Sequence, residues 1–254
     1  MGNMYGFKSD GMYSPDDFTW NGSKWVLNEG VVDASGIVGA SYMLPGAPKY
    51  KDITGDGKVT VADRTIIGNA SPDFTGGFNL SGFVHGFDFS ANFNFMIGNE
   101  VYNANKVEFT SSRKFSNRNL QNIMDVDKRW TNIDWTTGEM ISDPDQLKAV
   151  NKGKTMWAPF VGSAIFSDWA VEDASFLRLQ SVTIGYTLPE SLTQKIYLRR
   201  VRVYVTGTNL FCLTKYSGYD PEVDTRRATP LTPGVDYSAY PKSIGFVAGL
   251  NLTF

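Results

Sequence analysis

The sequence predicts an all-β chain that forms part of an antiparallel up-and-down transmembrane β-barrel with long extracellular loops. Three observations carry this. First, the chain ends in strict alternation, with Ile244, Phe246, Ala248, Leu250, Leu252 and Phe254 separated by Gly, Val, Asn and Thr. A period of two is a strand with unlike faces. Alone, this run fits a soluble β-sandwich core strand as well as a barrel strand with lipid outside and polar residues inside. Second, Phe87, Phe89, Ala91, Phe93 and Phe95 share one face opposite Asp88, Ser90, Asn92 and Asn94. A soluble core rarely sets so many Phe against a uniformly hydrophilic lane, whereas a barrel wall does. Third, short turns alternate with very long connections, the asymmetry of outer-membrane barrels.

Residues 1–75 read as one short strand and then a long loop. Residues 1–50 are aromatic and irregular, with Tyr5, Phe7, Tyr13, Phe18, Trp20 and Trp25 among scattered glycines. Residues 51–70 hold the one metal-like motif. Asp52, Thr54 and Asp56 stand at positions 1, 3 and 5 of an EF-hand-like loop. Lys58 would offer its carbonyl at position 7, and Asp63 a carboxylate at position 12. Gly57 suits the sharp turn at position 6. An all-oxygen donor set favours Ca²⁺ in a structural role. The alternative is a cluster of Asx turns that needs no ion.

Residues 76–98 read as a hairpin turning at His85-Gly86. Its second strand, of about 11 residues, matches a tilted membrane-spanning strand. Residues 99–170 are a long polar connection, with a short helix expected from Arg118 to Trp130; loops of this length are usually functional. Residues 171–254 hold the last strands and a loop. A second hairpin spans 175–213, with its phase shifting near Ser181 as at a β-bulge. Its turn, from Pro189 to Ile196, has room for one helical turn. Arg200 and Arg202 alternate with Val201, Val203 and Val205 and are expected to face a polar lumen, since arginine is costly toward lipid. Residues 214–241 form another long loop.

Composition narrows the function. Charged residues are 20%, aromatics 14%, and the formal net charge is −2, which gives no reason to expect a nucleic-acid partner. No apolar run approaches the ~18 residues of a membrane-spanning helix. Cys212 is the only cysteine and His85 the only histidine, so a disulfide framework, a CxxC metal site and a His cluster are ruled out, and nothing near His85 suggests a Ser-His-Asp triad. Asp220 and Glu222 are the carboxylates weighed for an acid–base role, and they flank a proline in a loop. The chain does not read as an enzyme. Trp20, Trp25, Trp130, Trp135, Trp157 and Trp169 are candidates for stacking on sugar rings, against the plainer reading that they pack loops or line the interfacial girdle. Met1 is followed by neither a basic n-region nor an apolar h-region, so either the protein is cytosolic or its export signal lies on a segment outside this sequence.

About six to eight strands are legible, too few to close a barrel without open edges in lipid. Loops this long suit a barrel of the ~22-strand class. Several motifs then occur in order: Asp52-Ile-Thr-Gly-Asp-Gly-Lys58, Asp63-Arg-Thr-Ile-Ile-Gly-Asn69, Pro72-Asp-Phe-Thr-Gly-Gly-Phe78, Val171-Glu-Asp-Ala-Ser-Phe-Leu-Arg-Leu179, Thr183-Ile-Gly-Tyr-Thr-Leu-Pro189, Gly207-Thr-Asn-Leu-Phe-Cys-Leu-Thr-Lys-Tyr216, Gly218-Tyr-Asp-Pro-Glu222 and Gly249-Leu-Asn-Leu-Thr-Phe254. This series resembles the C-terminal portion of the SusC/RagA family of TonB-dependent outer-membrane transporters.

The resemblance implies the Gram-negative outer membrane, a 22-stranded barrel and an N-terminal plug domain that is absent here. It implies import of glycans or peptides, energised by the TonB complex through that plug. It also implies a SusD-like surface lipoprotein as partner, and barrel-assembly recognition of the terminal Phe254. The competing reading is a soluble or surface-exposed calcium-stabilised β-sheet module that binds glycan.

Overall fold

The computed structural model describes residues 2–112, 119–159, 165–222, 225 and 234–254. Strands are β1 (Asn3–Gly6), β2 (Ser9–Met12), β3 (Phe18–Trp20), β4 (Trp25–Leu27), β5 (Pro48–Tyr50), β6 (Thr65–Asn69), β7 (Phe74–Val84), β8 (Phe87–Ile97), β9 (Glu100–Asn103), β10 (Val171–Asp173), β11 (Phe176–Thr187), β12 (Arg200–Thr214), β13 (Val235–Asp236) and β14 (Gly245–Thr253). The helices α1 (Ser35–Val38), α2 (Ala104–Glu108), α3 (Pro144–Val150) and α4 (Glu190–Thr193) are short. Among the described residues no helix is long and apolar enough to cross a membrane, which says nothing against a strand-built wall.

The long strands form one antiparallel sheet in the order β14-β12-β11-β8-β7. Every strand neighbours the one it follows among the long strands, which is up-and-down connectivity. The sheet does not close, and β7 and β14 are its open edges. Register aligns the apolar positions across all five strands. Phe78 faces Phe93, Phe89 faces Ile184, Ile184 faces Val205, and Val203 faces Leu250. The rings of Phe78 and Phe93 stack with centroids 4.7 Å apart.

The phase shift read at Ser181 is a register shift between Leu179 and Ser181 against both neighbouring strands. The extra residue keeps Leu179 and Val182 on one face, so the apolar lane continues through the break. The β7–β8 turn is His85-Gly86, both at positive φ (47° and 86°). That conformation matches the right-handed twist of a tight hairpin.

Both short connections, His85-Gly86 and 188–199, lie at one end of the sheet. The long ones, 98–175 and 215–244, leave from the other end, where residues 2–73 also enter β7. Segments emerging on the same side can share a core, and they do. Tyr13, Phe18, Trp25, Val38, Tyr50 and Val59 pack with Trp130, Ile141 and Leu147.

This corrects the reading of 1–50 as one strand and a loop. The segment holds β1 to β5, in two-stranded pairs that cover this core. Periodicity missed them because each is only three or four residues long. The helix expected over Arg118–Trp130 is absent where the chain is described. Arg118 itself lies outside the described residues, and the remainder forms a single 3₁₀ turn at Asn122–Met124. The backbone then turns to meet Met156, whose carbonyl accepts the Trp130 N–H at 2.7 Å. The helical turn expected after Pro189 is α4 followed by a 3₁₀ turn.

Candidate functional site

Asp63 is the centre of the EF-hand-like loop, with Thr60 as N-cap of the 3₁₀ turn that carries it. The Asp63 carboxylate is fully buried. Its Oδ1 accepts the N–H groups of Ile53 and Thr54 (2.9 Å each) and the Thr54 hydroxyl (2.9 Å). Its Oδ2 accepts the Thr60 N–H (2.7 Å) and the Thr60 hydroxyl (3.3 Å). Asp52 accepts the N–H groups of Gly55 (2.6 Å) and Gly57 (2.7 Å), and Asp56 accepts that of Lys58 (2.9 Å). Gly55 and Gly57 have φ of 76° and 82°, a conformation that favours glycine. Lys58 bridges to Asp33 through the backbone.

Asp52, Thr54, Asp56, Lys58 and Asp63 are therefore together in one loop, whose carboxylates accept backbone N–H groups and the Thr54 and Thr60 hydroxyls. Among the described residues, no three His, Cys, Asp or Glu side chains converge as a metal cluster. Five donors fill the two oxygens of Asp63, so a cation in this loop would have to displace some of them. The Thr60 N–H first, then the donors of Thr54 and Ile53, hold the Asp63 carboxyl far below the ordinary value of 3.8 despite burial.

The inward lane of the sheet is a hydrogen-bonded polar ladder. Asn79 Nδ2 donates to Ser90 Oγ (2.9 Å) and Asn92 Oδ1 (2.8 Å), and Asn92 Nδ2 donates to Ser181 Oγ (2.9 Å). The hydroxyls of Thr183 and Thr206 share a bond at 2.8 Å. Arg202 Nε donates to Asp88 Oδ1 at 2.8 Å, forming a two-pronged pair, and its guanidinium lies 4.9 Å from the Tyr204 ring centroid. Gly185 leaves the space Arg202 occupies, since a Cβ there would meet it at 2.4 Å. The arginine read as lumen-facing is thus paired with an acid two strands away.

At the long-loop end, Arg178 is buried between two acids. It meets Asp220 at 2.6 Å and Glu222 at 2.9 Å, and Lys242 reaches Glu222 at 2.5 Å. The pair weighed for acid–base chemistry is committed to tying a loop to the wall. Sequence spacing left Arg178 unassigned, because its partners lie more than forty residues away.

The six tryptophans part company. Trp25 is buried and donates to the Ile141 carbonyl at 3.1 Å. Trp20 packs edge-on against Trp25, and Trp157 against Trp169. Trp135 alone among them is strongly exposed, at 68%. It lines a cavity of about 600 Å³ together with Leu44, Met124, Arg129, Trp130 and Met140, within the usual size range of ligand pockets.

No protein-family model matches the chain. Among curated proteins, TonB-dependent receptor P3 of Formosa agariphila is 31% identical over 258 residues, covering 100% of this chain and 22% of its own length. TonB-dependent receptor SusC of Bacteroides thetaiotaomicron is 29% identical over 210 residues, covering 81% of this chain and 17% of its own length. The chain belongs to the SusC/RagA-type TonB-dependent receptors. It spans about a fifth of the length of these relatives. The RagAB peptide importer in its closed-closed state shares the fold of this SusC/RagA-type chain, with a TM-score of 0.66 at 23% identity, over 99% of this chain and 23% of the importer chain. The sheet is accordingly a sector of an antiparallel transmembrane barrel. Asp220 and Glu222, in the connection after β12, pair with Arg178 of β11.

Proposed function

We propose that this chain forms a wall sector and its extracellular cap in a TonB-dependent outer-membrane importer of glycans or peptides. The importer would work with a SusD-like surface lipoprotein. The missing strands and the plug would complete the barrel, and the TonB complex would act through the plug. The observation that carries the reading is the two-faced sheet. One face presents Phe78, Leu80, Phe87, Phe89, Ile184, Val203, Val205, Phe246, Leu250 and Leu252 to the outside, all more than a third exposed. The other face is the polar ladder headed by Arg202 and Asp88. An exposed apolar band of this extent calls for a hydrocarbon surround, and the open edges of β7 and β14 call for further strands. Further support is the RagAB neighbour, described as a peptide importer. The Asp52–Asp63 loop serves this role as a hydrogen-bonded clamp within the cap.

Subcellular fractionation tests the proposal. The protein is expected in the outer membrane, with a lipoprotein captured by mild cross-linking. A monodisperse monomer in detergent-free buffer would overturn it.

A further inference from the structure

We propose that the cavity beside Trp130 and Trp135 binds a ligand carrying a carboxylate next to an apolar group, with Arg129 as the counter-ion. This deepens the import reading and rests on it. The turn holding Arg129 is fixed on both sides. The Arg129 N–H donates to the Asp125 carbonyl at 2.9 Å. Thr155 and Met156 both donate to the Lys128 carbonyl at 2.9 Å. Lys154 Nζ donates to the Val126 carbonyl. Arg129 also bridges to Met156. Yet Arg129, a half-buried residue, forms no side-chain hydrogen bond or ion pair among the described residues, unlike Arg178 and Arg202. A cation partly removed from water and left unpaired is costly, and an incoming anion relieves that cost.

The other charge among the described lining residues is Asp125. It is exposed at the rim, and its Oδ1 already accepts the Val126 N–H at 2.8 Å. Among the described lining residues, one half-buried cation and one solvated acid suit a monoanion rather than a phosphate dianion. The planar guanidinium fork matches the two oxygens of a carboxylate. The remaining lining selects what stands beside that carboxylate. Leu44, Met124, Ile133 and Met140 give an apolar floor. The Trp130 ring is covered by Gly46, where a Cβ would approach it to 2.2 Å, so Trp135 is the open aromatic surface. A neutral sugar would leave Arg129 unanswered.

Such a carboxylate can come from a peptide C-terminus or from a uronic acid, and the test separates them. Detergent-solubilised protein is titrated calorimetrically with N-acetyl-trileucine and with its C-terminal amide. It is titrated in parallel with a glucuronate-containing disaccharide and its methyl ester. One of the acids is expected to bind about tenfold more tightly than its neutral partner, the usual worth of a charge-assisted hydrogen bond. Arg129→Gln should erase that difference, Arg129→Lys should restore part of it, and thermal unfolding should be unchanged. Equal binding of acid and neutral forms, no binding of either acid, or a difference surviving in Arg129→Gln would overturn the assignment. Protein that inserts in the outer membrane yet ignores both acids sinks this inference alone, whereas protein absent from membranes sinks the import reading.

Discussion

At Asp63 one carboxylate gathers five donors from three residues, and that concentration makes it the most consequential side chain of the cap. Asp63→Asn would turn one oxygen into a donor facing donors. The expected loss is about 1–3 kcal/mol, the cost of leaving buried partners unmade, read as a lower unfolding temperature. The same carboxylate gives a pH dependence of defined sign. Its folded pKa lies below the ordinary 3.8, so its stabilisation is complete above that value and is lost as pH falls through the folded pKa. Acid unfolding of wild type should therefore steepen below about pH 4, and Asp63→Asn should flatten that limb. Millimolar calcium is expected to leave the melting temperature unchanged, since the carboxylates already serve N–H groups; a rise would show the ion displacing them. At Arg178, replacement by Met should destabilise the loop by about 3–5 kcal/mol, because Asp220 and Glu222 would lose the buried cation they share. Limited proteolysis between residues 215 and 242 would register it.

At the element scale, the two faces of the sheet predict opposite tolerances. Phe93 lies near the middle of β8 on the outward lane, paired across to Leu179 and Phe78. Phe93→Arg is expected to cost about 2–4 kcal/mol if that lane faces hydrocarbon, measured by denaturant unfolding in detergent or lipid. Thr183→Asn, on the inward ladder, should stay within about 1 kcal/mol, since a polar partner at Thr206 remains in reach. Equal costs at both positions would contradict a one-sided membrane contact. The long strands and the His85-Gly86 turn were legible in sequence because a period of two over about 11 residues leaves few alternatives. The small strands β1 to β5 were not, since three or four residues cannot establish a period.

At the scale of the whole molecule, connectivity decides what packs with what. The entry into β7, the β8–β11 connection and the β12–β14 connection all lie at the same end of the sheet. Residues far apart in sequence therefore meet there. Trp25 donates to a carbonyl 116 residues away, and Arg178 grips acids beyond β12. Trp25→Ala should destabilise the cap by about 3–5 kcal/mol through the cavity it leaves, while the β8–β11–β12 ladder persists. Hydrogen exchange would separate the two, with cap amides losing protection before those of the sheet.

The sequence by itself determined the elements whose signal is local and repetitive. These were the alternating lanes, the bulge at Ser181, the inward setting of Arg202, and the ordered motifs of a SusC/RagA-type wall. It also placed the five residues of the Asp52–Asp63 loop side by side. Only the tertiary structure decided how that loop spends its carboxylates, because the direction of each N–H depends on backbone angles that spacing leaves open. It likewise decided that residues 2–70 and 99–170 share one core, and that Asp220 and Glu222 belong to Arg178. Among the described residues, it singled out Trp135 as the exposed aromatic ring and Arg129 as the unpaired cation at a cavity. Such contacts join residues separated by tens of positions, and no periodic pattern records which distant side chain fills the last open hydrogen bond.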